Sequence, residues 1–192
     1  MNICVYGASS DSIEKIYFDT AYSLGANIAA RGHSLVYGGG GNGVMGAAAR
    51  GAFHKKGKII GVAPTFFTVD GVLYDGCTEF IYTQTMRERK QILEDRSDAF
   101  IMAPGGIGTF DEFFEILTLK QLNRHNKPIA IYNVNGYYDH LIQMLQLTAK
   151  SNFMKPKSLE LFESFTDEIK MLEYIENYDK KPRDIKELKD IG

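Results

Sequence analysis

The stretch that decides the fold is "DAFIMAPGGIGTFDEFFEILTLKQLN", residues 98–123. It opens on an apolar run, "DAFIMAP", too short for a helix and rich enough in bulky apolar residues to be a buried strand. "GGIGT" follows, and then "FDEFFEIL", in which Phe110, Phe113, Phe114 and Leu117 recur at helical spacing. Strand, tight glycine turn and helix in immediate succession predict one half of a parallel crossover. Thr109 and Glu112 are spaced as a capping box, so the helix is expected to run over 109–123. Such a cap leaves Gly105, Gly106 and Gly108 without an explanation.

The same alternation extends in both directions. Strands are expected at 3–7 ("ICVYG"), 33–39 ("HSLVYGG"), 58–64 ("KIIGVAP"), 79–83 ("EFIYT"), 98–104 and 127–133 ("KPIAIYN"). Helices are expected over 13–31, 44–56, 85–96, 109–123, 137–150 and 166–177, with a frayed charged tail from 180. The strands are continuous apolar runs, which is the pattern of strands buried on both faces. The fold class is therefore α/β: one doubly wound parallel sheet with helices on both faces, residues 1–178, followed by a charged C-terminal tail at 179–192.

Composition closes off several alternatives. The 192 residues are 44% hydrophobic and 24% charged, with a formal net charge of −2, so there is no basic field to attract nucleic acid. No stretch approaches the roughly 20 apolar residues of a membrane helix, and the chain opens on a strand rather than a leader, so a cytoplasmic protein is expected. Cys4 and Cys77 form no CxxC pair and are read as free thiols. His33, His54, His125 and His140 have no metal-ligand spacing; no metal or cofactor is signalled.

In doubly wound sheets ligands bind beyond the carboxyl ends of the strands. Three small-residue loops fall there: "GASSD" after the first strand, "GGGGNGVMG" (residues 38–46) after the second, and "PGGIGT" after the fifth. The second loop satisfies G-x-G-x-x-G in two registers, but it does not follow the first strand and no acid ends the next one, so a dinucleotide site is disfavoured. What remains is a place where amides at a helix N-terminus can meet a phosphate, with Gly40 and Gly43 in that loop among the candidates. In "TMRERKQILEDR", residues 85–96, Met86 and Leu93 are expected to point inward and Arg87 outward. Arg89 and Lys90 flank the apolar line and must either snorkel or meet a partner, and Glu112 lies at the same edge.

Three motifs together resemble the Lonely Guy (LOG) proteins, often mislabelled lysine decarboxylases. They are G-G-G-x-x-G-x-M-G at 38–46, M-x-x-R-K at 86–90 and P-G-G-x-G-T-x-x-E at 104–112. The resemblance covers roughly residues 1–178 and implies a Rossmann-like fold. It implies a phosphoribohydrolase that splits the N-glycosidic bond of a nucleoside 5′-monophosphate, either a cytokinin riboside monophosphate or AMP. It matches Arg89 and Glu112 to the catalytic pair. Lys90, Met86, Gly106, Ile107, Gly108, Thr109, Thr118, Gly40 and Gly43 fall at substrate-contacting positions, and a homodimer is implied. Arg87 stands where the family usually has His. Residues 65–78 align poorly and leave the roles of Asp70 and Asp75, like that of Glu115, open. A rival of another class is a non-catalytic nucleotide or molybdenum-cofactor carrier on the same scaffold, which would have no need of Arg89 and Glu112 together.

Overall fold

The computed structural model describes residues 1–68, 72–180 and 184–189. Seven parallel strands form one sheet: β1 Asn2–Tyr6, β2 Ser34–Tyr37, β3 Ile59–Pro64, β4 Glu79–Thr83, β5 Ala99–Met102, β6 Ile129–Tyr132 and β7 Glu163–Phe165. Their spatial order is β4-β3-β2-β1-β5-β6-β7. The helices are α1 Lys15–Ala30, α2 Gly43–His54, α3 Met86–Asp95, α4 Ile107–Gln121, α5 Asp139–Lys150, α6 Glu168–Glu176 and the single turn α7 Ile185–Leu188. None of them is long and apolar enough to cross a membrane.

Alternation along the strands sorts the core into two layers. Ile3, Val5, Leu35, Tyr37 and Ile101 face α1, α2 and α6; Cys4, Tyr6, Val36, Phe100 and Met102 face α3, α4 and α5. Both faces are covered, which is why the strands read as unbroken apolar runs.

Three sequence expectations need correction here. The strand β7 was not expected: three residues, "ESF", carry too little periodicity to stand out, and its pairing with β6 (Ala130 with Glu163, Tyr132 with Phe165) is a tertiary fact. The region expected to fray includes α7, whose Leu188 is buried and whose carbonyl accepts from Ser158 Oγ at 2.9 Å and Gln121 Nε2 at 3.2 Å. On α3, Leu93 is buried as expected, but Met86 is 40% exposed and the buried partner one turn before Leu93 is Arg89. Met86 opens the helix and lines the concave space described below.

The order of the strands places the site. Strands β1 to β4 step outward in one direction and β5 to β7 in the other, so the reversal lies between β1 and β5. The loops leaving those two strands part to opposite faces and leave a crevice, the usual ligand position in such sheets. The two loops are tied at its base by the amide of Ala8 donating to the Pro104 carbonyl at 3.0 Å.

Candidate active site

The crevice holds a concave space of about 400 Å³. The loop after β1 contributes Gly7, Ala8, Ser9 and Ser10; α3 contributes Met86, Arg89 and Lys90; the start of α4 contributes Gly106 to Thr109, Asp111 and Glu112. Met45 and Phe67 complete its walls.

Arg89 and Glu112 meet at its floor. Arg89 Nη1 donates to Glu112 Oε1 at 2.6 Å, and Arg89 Nε donates to the Val62 carbonyl at 3.1 Å. Both side chains are buried, with residual exposures of 6% and 8%. Burial pushes the Glu112 carboxyl above the usual glutamate range, and the adjacent guanidinium pulls back only part of that rise. The result is a carboxylate held in one orientation and more basic than a solvated one. Helix α3 can deliver Arg89 there because its start is well fixed. Thr85 Oγ1 accepts from the Glu88 amide at 3.1 Å while Glu88 Oε2 accepts from the Thr85 amide at 3.2 Å. This is a reciprocal cap that "TMRE" encodes and that the sequence reading did not single out.

The cap expected at Thr109 and Glu112 does not form. Helix α4 starts two residues earlier, at Ile107, with Gly106 as an extended N-cap and no side-chain cap. Thr109 is thus inside the first turn and buried, and Glu112 is one turn too far along to reach back. Freed from capping, Glu112 points to Arg89 instead. The early start leaves the amides of Ile107, Gly108 and Thr109 as the unpaired beginning of a helix. The carbonyls just before them are engaged elsewhere: Ala103 accepts from Tyr138 Oη at 2.8 Å, Pro104 from Ala8, and Gly105 from Tyr137 Oη at 2.9 Å. Exposed Gly106, Ile107 and Gly108 therefore present backbone donors to the pocket.

Helix α2 is different, which corrects the expectation for Gly43. Its amide donates to Asp11 Oδ1 at 2.8 Å, so a carboxylate already occupies that helix start. The amides of Gly41 and Met45 are taken by the carbonyls of Val72 (2.9 Å) and Ala8 (3.2 Å). Gly43 is glycine for a steric reason: its φ is +63° and a Cβ would run into the Ala8 carbonyl. Gly40 lines an adjoining chamber with Met45, Phe67 and Arg89.

Lys90, half-buried, ion-pairs Asp111 at 3.0 Å and also Glu115. Partial burial works against its charge, but hydrogen bonds to Glu115 and Asp111 outweigh this and raise its pKa. Glu115 is thereby an exposed partner of Lys90, and Arg87 is exposed as expected. Thr118 is not brought to the pocket: it lies in an outer groove between α3 and α4 with Arg87, Phe114 and Leu119. Phe114, expected in the buried stripe, is 40% exposed in that groove. Asp75 is exposed and lines neither chamber; Asp70 lies outside the described residues. Sequence reasoning missed Ser9, Ser10 and Met45 as individual wall residues, although "GASSD" and "GVMG" had marked their loops, and it missed Phe67, which only the path of the β3–β4 connection places.

Among the described residues no three His, Cys, Asp or Glu side chains group as a metal site. Three of the four histidines have local partners: His33 Nε2 lies 2.8 Å from Glu176, His54 Nδ1 lies 2.6 Å from Tyr22 Oη, and His125 Nε2 lies 2.8 Å from the Ile116 carbonyl. Cys4 is buried and Cys77 partly so, and both are free.

The chain is similar to several known proteins. The family model described as "Possible lysine decarboxylase" matches residues 45–175. A rice protein (Oryza sativa subsp. japonica) named "Probable cytokinin riboside 5'-monophosphate phosphoribohydrolase LOGL9" is 37% identical over 176 residues, 92% of this chain and 78% of its own. The Arabidopsis thaliana "Cytokinin riboside 5'-monophosphate phosphoribohydrolase LOG5" is 32% identical, covering 92% and 77%. Among solved structures, the molybdenum cofactor binding protein of Rippkaea orientalis superposes with a TM-score of 0.71 at 24% identity over 91% of this chain and 94% of that one, a likeness of fold. The three motifs, the parallel sheet that aligns their loops and the extent of these matches lead to one conclusion: the chain belongs to the LOG family, the family of possible lysine decarboxylases.

Proposed function

We propose that the protein hydrolyses the N-glycosidic bond of a purine nucleoside 5′-monophosphate, releasing the free base and ribose 5-phosphate. The observation that carries this reading is the buried Arg89–Glu112 pair on the floor of a pocket whose far wall is the uncapped start of α4.

The amides of Ile107, Gly108 and Thr109, with the Thr109 hydroxyl, bind the 5′-phosphate at the positive end of α4. That places the ribose over Glu112. As the bond from the anomeric carbon to the base nitrogen breaks, its electron pair leaves with the base and positive charge develops on the ribose. The Glu112 carboxylate stabilises that charge and takes a proton from the attacking water, whose oxygen bonds to the anomeric carbon. The proton then passes to the departing base, which restores the carboxylate. Arg89 holds Oε1, so Oε2 is the oxygen left for the water. A raised pKa suits this role, because a base near the working pH transfers protons most effectively. The ion-paired Lys90 is kept protonated, which is unfavourable for the Schiff-base lysine that a pyridoxal-dependent decarboxylase requires.

We place the homodimer on the outer α3–α4 face, where Phe114 and Thr118 line an open groove. Thr118 would then act from a second copy rather than within its own chain, and size-exclusion chromatography of Phe114→Glu tests this.

The activity is tested by incubating purified protein with AMP and chromatographing the products. Adenine and ribose 5-phosphate in equal amounts support the reading. Saturable AMP binding by calorimetry with no base released would replace it with the carrier.

A further inference from the structure

The segment "NVNGYYD", residues 133–139, brings two adjacent tyrosine hydroxyls to the loop that leads into α4. Its backbone turns sharply to do so. Asn135 and Gly136 take left-handed φ values of 52° and 72°, which Asn tolerates and Gly adopts freely. Asn133 closes the turn: its Oδ1 accepts from the Tyr138 amide at 2.7 Å, and its Nδ2 donates to Asp139 Oδ1 at 2.7 Å. Tyr138 is buried. Tyr137 is 43% exposed, yet its hydroxyl donates to the Gly105 carbonyl at 2.9 Å.

A trans peptide is planar, with its carbonyl and its N–H on opposite sides. Fixing the Gly105 carbonyl toward Tyr137 therefore turns the Gly106 amide the other way. Gly106 lines the 400 Å³ pocket and Gly105 is buried, while Tyr137 is not part of the pocket wall. Building on the proposed hydrolase, we infer that Tyr137 is a positioning residue: without touching the substrate, its hydroxyl holds the Gly106 amide toward the 5′-phosphate and sets phosphate affinity rather than the rate of bond breaking.

The two glycines differ in a way that supports this. Gly105 is hemmed in: a Cβ there would meet Thr109 Oγ1 at 2.1 Å and the Ala8 amide nitrogen at 3.0 Å. A Cβ on Gly106 would meet nothing within 4 Å, and its φ of −102° lies outside the left-handed region that favours glycine. The fold itself makes no demand for glycine at 106; a bare backbone there lets a ligand come close to the amide. Among the described residues that amide meets no backbone acceptor. Tyr138 supplies an internal contrast. It donates to the Ala103 carbonyl at 2.8 Å, but the nitrogen of that peptide belongs to Pro104 and carries no hydrogen. Of the two tyrosine bonds, only that of Tyr137 has an amide to aim at the far side of the peptide.

The experiment compares wild type, Tyr137→Phe and Tyr138→Phe by kcat and KM for AMP, by the calorimetric Kd for ribose 5-phosphate and by Tm. Tyr137→Phe keeps its ring against Tyr17 and Tyr138, so its Tm should hold. Its KM for AMP and its Kd for ribose 5-phosphate should both rise roughly five- to tenfold, the scale of one charge-assisted hydrogen bond made less well, with kcat little changed. Tyr138→Phe withdraws the hydroxyl from a buried carbonyl; it should lower the Tm and move the ribose 5-phosphate Kd less. An unchanged Kd in Tyr137→Phe, a loss confined to kcat, or equal rises in both variants overturns the inference and leaves the hydrolase standing. Wild-type protein that releases no base overturns the hydrolase alone, because the affinity for ribose 5-phosphate is read without turnover.

Discussion

Replacing Glu112 by glutamine separates chemistry from architecture. Glutamine has the shape of glutamate, and its Oε1 can still accept from Arg89 Nη1, so the 2.6 Å contact is kept in weaker, singly charged form. What is lost is the ability to take a proton and to face a developing cation with negative charge. General-base assistance contributes about 10²–10⁴ in rate. At about 1.4 kcal/mol per decade this is roughly 3–5 kcal/mol of barrier. If, as proposed, the α4 amides and not Glu112 hold the phosphate, KM should change little while kcat falls by that factor. Stability should change less than activity, since the amide relieves the burial of an ionised carboxyl but leaves the buried Arg89 guanidinium with a neutral partner. Single-turnover release of adenine from AMP, followed by chromatography, gives kcat; differential scanning calorimetry gives the melting temperature. A variant that retains wild-type kcat would refute the assignment of Glu112 to the chemistry, and one that loses activity only by unfolding would reduce it to a packing role.

Four further outcomes follow from the same geometry. Arg89→Met strands a buried carboxylate and should cost about 3–5 kcal/mol at neutral pH, a fall of roughly 10 °C in Tm for a chain of this size. Glu112 already binds its proton more tightly in the folded than in the unfolded state, and removing Arg89 widens that gap. The variant's deficit should therefore shrink toward pH 4 and grow as pH rises, measurable by urea titration at several pH values. Burial lowers the His125 pKa to about 4, so the folded chain binds fewer protons there than the unfolded one; stability falls as pH drops from about 6.5 toward 4, and His125→Phe should flatten that decline. Gly43→Ala forces a left-handed φ of +63° on alanine at about 1–2 kcal/mol and drives its Cβ into the Ala8 carbonyl, so it should displace the Ser9–Asp11 loop and lower both Tm and kcat/KM. Burial, with the nearby Glu112 charge, lifts the Cys4 thiol to about 12, so dithionitrobenzoate should leave Cys4 unlabelled in the native protein and react with it only after denaturation.

Much of this molecule is legible along the chain. Six of the seven strands are unbroken apolar runs, because a strand covered by helices on both faces has no polar side to display. The three glycine loops stand out because helices and strands rarely tolerate such runs, and their spacing relative to the strands assigns them to one edge. Arg89 attracts notice because a cation beside an apolar stripe needs a partner.

Tertiary structure decided the rest, for reasons that lie between segments rather than within them. "TFDE" has the letters of a capping box, but where α4 begins depends on Ala8, Tyr137 and Tyr138 drawing off the carbonyls of residues 103–105. That choice turns Glu112 from a cap into the partner of Arg89, 23 positions away in sequence. Two glycine-rich helix starts look alike as anion sites in the sequence, yet Asp11 fills one and leaves the other open. Strand β7 exists because β6 offers it an edge. Local composition sets which residues can build a phosphate cradle or a buried pair; which of them do so depends on contacts across the crevice, where one donor or carboxylate from a distant loop takes up a group and leaves its neighbour free for the ligand.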